Sequence, residues 1–318
     1  VTEPAAPFAA GVHLPWAGVP EPVRHWAYEI GGGEAHEVLD LPGGFSPGAT
    51  TRLRFAVGPD IFVKAVGLAL NQESPSLHRR EATISRSLPP SPYWPRLLNA
   101  YDDGDWVALA FEAVNGRMPA HPWVKAELDA ALDALAELHR LLTPSPSDAV
   151  AAASARLGNT FDGWLRLASL DAVPAGLDGW AERHLEQLVD LESGWRGACD
   201  GDTLLHLDIR SDNLLLTEAG AVFVDWPHAA VGAPVLDLIC WAPSVVLEGG
   251  PDPETLLHSH RLYGTADPAT VTTLVAALAG FFVERSLQPP PPGLPTLRAF
   301  QAAQGEVALA WLQRRTGW

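Results

Sequence analysis

Residues 204–226, LLHLDIRSDNLLLTEAGAVFVDW, are the stretch on which the reading of the fold turns. Short apolar runs (DTLLHLDI, NLLLT, AVFVDW) are interrupted by polar residues, unlike the long helical patterns on either side. His206-x-Asp208-x-x-x-x-Asn213 puts an imidazole, a carboxylate and an amide on one loop, and Asp225 ends an apolar run twelve residues beyond Asn213. This set of groups suits phosphoryl transfer to a hydroxyl. Such a reaction needs a carboxylate to orient the attacking group and accept its proton, and oxygen ligands to hold Mg2+ on the phosphates. Magnesium keeps several waters, so one Asn and one Asp suffice. A loop between short strands fixes the separation of Asp208 and Asn213, and a hairpin returns Asp225 to the same end.

Upstream, the pattern is β-rich. Residues 1–19 are rich in Pro, Ala and Gly and read as an arm; Glu21 to Ile30 reads as a short helix ended by the glycines at 31–33. EAHEVLDL, TTRLRFAV and IFVKAVGLAL, joined by PGGFSPG and GPD, predict an antiparallel meander. SLHRREATISRSL predicts a helix stopped at Pro89–Pro90, and two more strands flank DDGD at 102–105. The pattern predicts an arm and short helix over 1–34, a β-rich lobe over 35–116, and a helical lobe over 117–318. In the last, Leu128, Leu132, Leu135 and Leu142 share a helix face with His139, and segments around 160–170 and 177–196 also read as helical.

The 204–226 loop resembles the catalytic loop of protein-kinase-like enzymes, and more closely that of the aminoglycoside phosphotransferase family. The resemblance implies an α+β, bilobal protein-kinase-like fold with a small β-rich N-lobe and a larger helical C-lobe. It makes Asp208 the catalytic base, Asn213 and Asp225 the metal ligands, His206 an organiser of the loop, and Arg210 a basic residue near the transferring phosphate. Leu207 stands where some relatives carry Gly. Position 227 is Pro rather than the Gly of Asp-Phe-Gly, and no Ala-Pro-Glu follows, which points toward small-molecule kinases and away from protein kinases.

The same resemblance implies that Lys64, in the third strand, holds the α- and β-phosphates and pairs with Glu81 on the next helix. Only two lysines occur in the chain, Lys64 and Lys125, and one of them occupies that strand. The GGFSPG turn at 43–48, with Gly44 and Ser46, falls where a phosphate-covering loop belongs. FEAVNG at 111–116 resembles the segment joining the lobes. There the Glu112 carbonyl and the Val114 N–H meet the adenine edge, and Phe111 stands behind the base, where its bulk bears on the choice of ATP or GTP. Asp237 matches a position where an Asp begins a helix and supports the loop. The implied cofactor is Mg2+ with ATP or GTP as phosphoryl donor.

The formal net charge is −17, which argues against nucleic acid as a partner. After Gly116, 25 Asp and Glu face 13 Lys and Arg, an excess compatible with a cationic, amine-bearing hydroxyl acceptor such as an aminoglycoside. Choline-like, amino-acid and sugar acceptors, and a nucleotide-binding pseudoenzyme, remain as alternatives. No basic n-region precedes an apolar stretch and no apolar run approaches a membrane span, so the expectation is a cytoplasmic protein without a membrane partner. Cys199 and Cys240 have no ligand-like spacing and read as free thiols. His258 and His260 lack the companions of a zinc site, and His228 reads as a bystander near Asp225.

Overall fold

The computed structural model describes residues 13–41, 47–158, 160–172, 174–261, 266–291 and 294–318. They form two compact units. One holds the described residues up to Met118 together with Asp212–His228; the other holds Pro119–Ser211 and Ala229–Trp318.

The first unit is built on an antiparallel five-stranded sheet: β1 (Glu37–Asp40), β2 (Ala49–Arg54), β3 (Ile61–Gly67), β4 (Leu97–Asp102) and β5 (Trp106–Glu112), in the order β1-β2-β3-β5-β4. Alternation along β2 and β3 sends Leu53, Ile61, Val63 and Ala65 to one face, where α1 (Glu21–Gly31) covers them with Val23 and Ala27. Gly31 ends that helix against the Phe55 ring, which would lie 2.0 Å from any Cβ placed there. On the opposite face Leu109 and Phe111 pack with Ala82 of α2 (Ser74–Ser87). Full burial of each large aliphatic side chain here contributes about 1.5–3 kcal/mol. The hairpin of β7 (Leu214–Thr217) and β8 (Gly220–Phe223) belongs to this unit, tied to it by Arg117 beside Leu216 and by the Phe223 N–H donating to the Tyr93 carbonyl.

In the second unit, α3 (Lys125–Leu141) buries the leucine face expected from its spacing. The chain then passes through α4 (Ala153–Leu157), α5 (Gly163–Ala168), α6 (Gly179–Arg183), α7 (Leu185–Glu192) and α8 (Trp195–Ala198). The helical pattern around 177–196 is thus broken into three pieces; His184 leaves helical geometry at φ −111° and ψ 15°. A two-stranded sheet pairs β6 (Thr203–Leu205) with β9 (Ala230–Gly232). It is followed by α9 (Val235–Leu247), α10 (Pro253–Ser259), α11 (Pro268–Ser286) and α12 (Leu297–Thr316). Contrary to the expectation of no span-like run, α11 is long and apolar enough to cross a membrane. It packs against α5, α7, α8, α9 and α12, and most of it is buried. Both cysteines are free.

Candidate functional site

Lys64 sits at the centre of β3, between Thr50 of β2 and Leu109 of β5. Its ammonium lies 2.9 and 3.0 Å from the two Glu81 oxygens and 2.5 Å from Asp225 Oδ1. These residues are 17 and 161 positions from Lys64 in sequence. α2 brings Glu81 in, and the β7–β8 hairpin delivers Asp225 just past its second strand. Asp225 has φ 68°, a left-handed conformation that disfavours a Cβ. Glu81 also accepts the Trp226 N–H at 3.3 Å, and Arg80 donates to the Pro227 carbonyl at 3.4 Å. The DWP segment is therefore fastened to α2.

Burial disfavours the Lys64 ammonium, yet Asp225 and Glu81 outweigh it and push its pKa up. Burial raises the Glu81 pKa; Lys64 opposes that rise and the nearby Asp225 charge adds to it. His78, one turn earlier on α2, is buried and neutral; burial and then the Lys64 charge pull its pKa down to about 4. Sequence reasoning missed His78. Its i, i+3 relation to Glu81 was the available signal.

Asn213 lies in the same unit as this ion cluster and is buried. Its carbonyl accepts the Val224 N–H at 3.0 Å, so the base of the hairpin sets it one residue from Asp225. An amide oxygen and a carboxylate are hard donors of the kind Mg2+ takes. Among the described residues no group of three His, Cys, Asp or Glu could hold a metal by itself. Phe111 is 4% exposed, its ring committed to the core, with Lys64 6.0 Å from its centroid. The Glu112 side chain pairs with Arg96 at 2.7 Å as β5 ends, and Val114 is half-buried just beyond. Gly44 and Ser46 lie outside the described residues.

The other candidates lie in the second unit. β6 delivers His206, Leu207 and Asp208 in succession. Asp237, fully buried in the first turn of α9, accepts the His206 N–H at 3.1 Å and the Leu207 N–H at 2.7 Å. His139 of α3 lies with Nε2 2.9 Å from the same carboxylate. Burial opposes the Asp237 charge, but these partners, His139 foremost, hold its pKa below the usual carboxylate range. His139 lies on the buried leucine face that the spacing predicts, with a partner that spacing alone did not name. Leu207 adopts φ 60°, a left-handed conformation that glycine takes up more readily than leucine. The Asp208 N–H reaches His206 Nδ1 at 3.3 Å, and the Arg210 guanidinium lies 2.5 Å from Asp208 Oδ1. Asp208 keeps 23% of its side chain exposed while His206 beneath it is fully buried. A carboxylate held by its backbone and one arginine, still open to solvent, is able to accept a proton from a bound hydroxyl.

A family profile, the phosphotransferase enzyme family, matches residues 71–274. The chain belongs to this family. Among solved structures, this phosphotransferase-family chain is similar to choline kinase from Streptococcus pneumoniae, at TM-score 0.60 and 14% identity over 91% of this chain and 98% of that one. It is also similar to spectinomycin phosphotransferase in complex with ADP and spectinomycin, at TM-score 0.58 and 14% identity over 90% and 97%. An amicoumacin kinase in complex with AMP-PNP and Ca2+ aligns at TM-score 0.58 and 9% identity over 92% and 95%. The fold is therefore that of protein-kinase-like small-molecule kinases, as the sequence motifs imply. No curated protein matches the chain.

Proposed function

We propose that this family member transfers the γ-phosphoryl group of ATP or GTP to a hydroxyl of a small molecule. The observation that carries the reading is the convergence of Lys64 on Glu81 and Asp225. A buried ammonium that serves two carboxylates is a poor device for stability, since its desolvation cost rivals its Coulombic gain. It is a good device for a polyphosphate. Lys64 receives the α- and β-phosphate oxygens while Glu81 keeps its ammonium in place. Asn213 and Asp225 are the residues that would hold Mg2+, which neutralises phosphate charge when bound. Asp208 orients the acceptor hydroxyl and takes its proton, and Arg210 faces the transferring group. Catalysis on this scheme is positioning and charge complementarity.

The acidic excess of the helical part favours an acceptor carrying positive charge, such as an amine-bearing sugar or alcohol. The test is incubation with Mg-ATP and with Mg-GTP against a library of hydroxyl compounds, reading phosphorylated products by mass spectrometry. Asp208→Asn serves as the control. A product formed by the wild type and lost in Asp208→Asn supports the proposal. Tight nucleotide binding with no product from any hydroxyl compound would instead favour a pseudoenzyme, and phosphate appearing on polypeptide would favour a protein kinase.

A further inference from the structure

The loop that carries Asp208 is fastened at a second point. Asp237, in the first turn of α9, holds the amides of His206 and Leu207. At the far end of the same helix its C-cap residue, Glu248, accepts a hydrogen bond from the Ser211 hydroxyl at 2.7 Å. The other Glu248 oxygen accepts the Trp123 indole N–H at 2.9 Å. One helix thus grips the loop just before Asp208 and again just after Arg210. The two grips lie eleven residues apart on α9 and its cap, roughly 16 Å at the helical rise.

The Glu248 carboxylate is itself set firmly. Its backbone carbonyl accepts the Trp123 N–H at 3.1 Å. The next residue, Gly249, has φ 76°, and a Cβ there would lie 2.7 Å from Pro122, so glycine lets the turn close against that segment. Trp123 and Ser211 are 8% and 5% exposed. A buried hydroxyl and a buried indole that both turn to one carboxylate lose much if it is removed, because each is then left unsatisfied.

We propose that Glu248, acting through Ser211, is a positioning residue for phosphoryl transfer. It holds the Arg210 end of the loop so that the guanidinium keeps its 2.5 Å approach to Asp208. Asp237 restrains the loop only before the base; Glu248 restrains it after. This rests on the functional reading above, and the experiment keeps the two apart. Full-length wild type, Ser211→Ala and Glu248→Ala are compared in two assays. Hydrogen exchange of the peptide spanning residues 204–213 needs no turnover; steady-state turnover of Mg-ATP uses whichever acceptor the library screen identifies.

The expected result is faster exchange confined to that peptide, with kcat lower by about tenfold to a hundredfold and KM for ATP within about twofold of wild type. Ser211→Ala, the milder change, decides the matter if Glu248→Ala fails to fold. Unchanged exchange in a folded Ser211→Ala overturns the clamp. Faster exchange with wild-type kcat overturns the positioning role. A wild type that phosphorylates nothing overturns the functional reading, and with it the catalytic purpose of Glu248, while exchange still decides whether the clamp exists.

Discussion

The ion cluster around Lys64 and the polar network around Asp237 each bury a carboxylate beside a non-glycine residue of positive φ, yet their electrostatics run in opposite directions. Asp237 accepts two backbone N–H groups and faces the His139 ring, and its pKa is depressed. Glu81 shares one ammonium with Asp225, and burial, with the Asp225 charge beside it, raises its pKa. The Asp237 carboxylate is satisfied by two amides and His139 Nε2, although the other ring nitrogen, Nδ1, is buried without a partner among the described residues. The Lys64 cluster sets two carboxylates against one ammonium, a balance that a bound cation would redress. We read the first as scaffold and the second as machinery.

The largest effects should appear in turnover. Asp208→Asn is expected to lower kcat by about two to four powers of ten, with nucleotide affinity retained, as read by steady-state kinetics and a separate binding assay. Lys64→Met should lower both kcat and nucleotide affinity. Wild-type affinity in Lys64→Met would erase the distinction drawn between the two centres.

Next in size is stability. Asp237→Ala strips the loop amides and His139 of their acceptor and should cost about 3–5 kcal/mol in urea unfolding. A loss under about 1 kcal/mol would show that the network is not the scaffold it is taken to be.

The pH dependence sharpens the comparison further. The depressed Asp237 pKa contributes stability that is fully present above the unfolded carboxylate pKa and is lost as pH falls through the folded value. Glu192 behaves in the opposite way. It accepts the N–H groups of Trp164 and Leu165 at 3.1 and 3.0 Å, but burial pushes its pKa up to about 7. Its contribution is present below the unfolded value and lost as pH rises through about 7. The melting temperature of wild type relative to Glu192→Gln should therefore fall between pH 5 and about pH 7; a difference that does not change with pH refutes the assignment.

The smallest expected change is at Leu207. Leu207→Gly relieves left-handed strain of about 1–2 kcal/mol, offset by the greater chain entropy of glycine, so unfolding free energy should stay within about 1 kcal/mol of wild type.

Much of this was legible beforehand because it depends on local order. The His206–Asp208–Asn213 spacing, the strand around Lys64, the helix bearing Glu81 and the turn at DDGD are set by neighbouring residues and read directly. Other features were not legible. The bounds of the short helices between 153 and 198 carry no periodic signal; at the start of α5, Gly163 meets Gly280 so closely that a Cβ would lie 2.1 Å from its carbonyl oxygen. The partners of His139 and Ser211 lie 98 and 37 residues away, with no periodicity to announce them.

The amino-acid sequence alone therefore determined the succession of elements, the chemistry available on the 206–213 loop and the family. Tertiary structure alone decided that the lysine would also meet a carboxylate 161 residues distant, and that one helix would carry Asp237 and Glu248 to both ends of the loop. Backbone propensity acts over a few residues. Burial and ion pairing act wherever packing brings groups into contact, and their outcome exists only once the chain has folded.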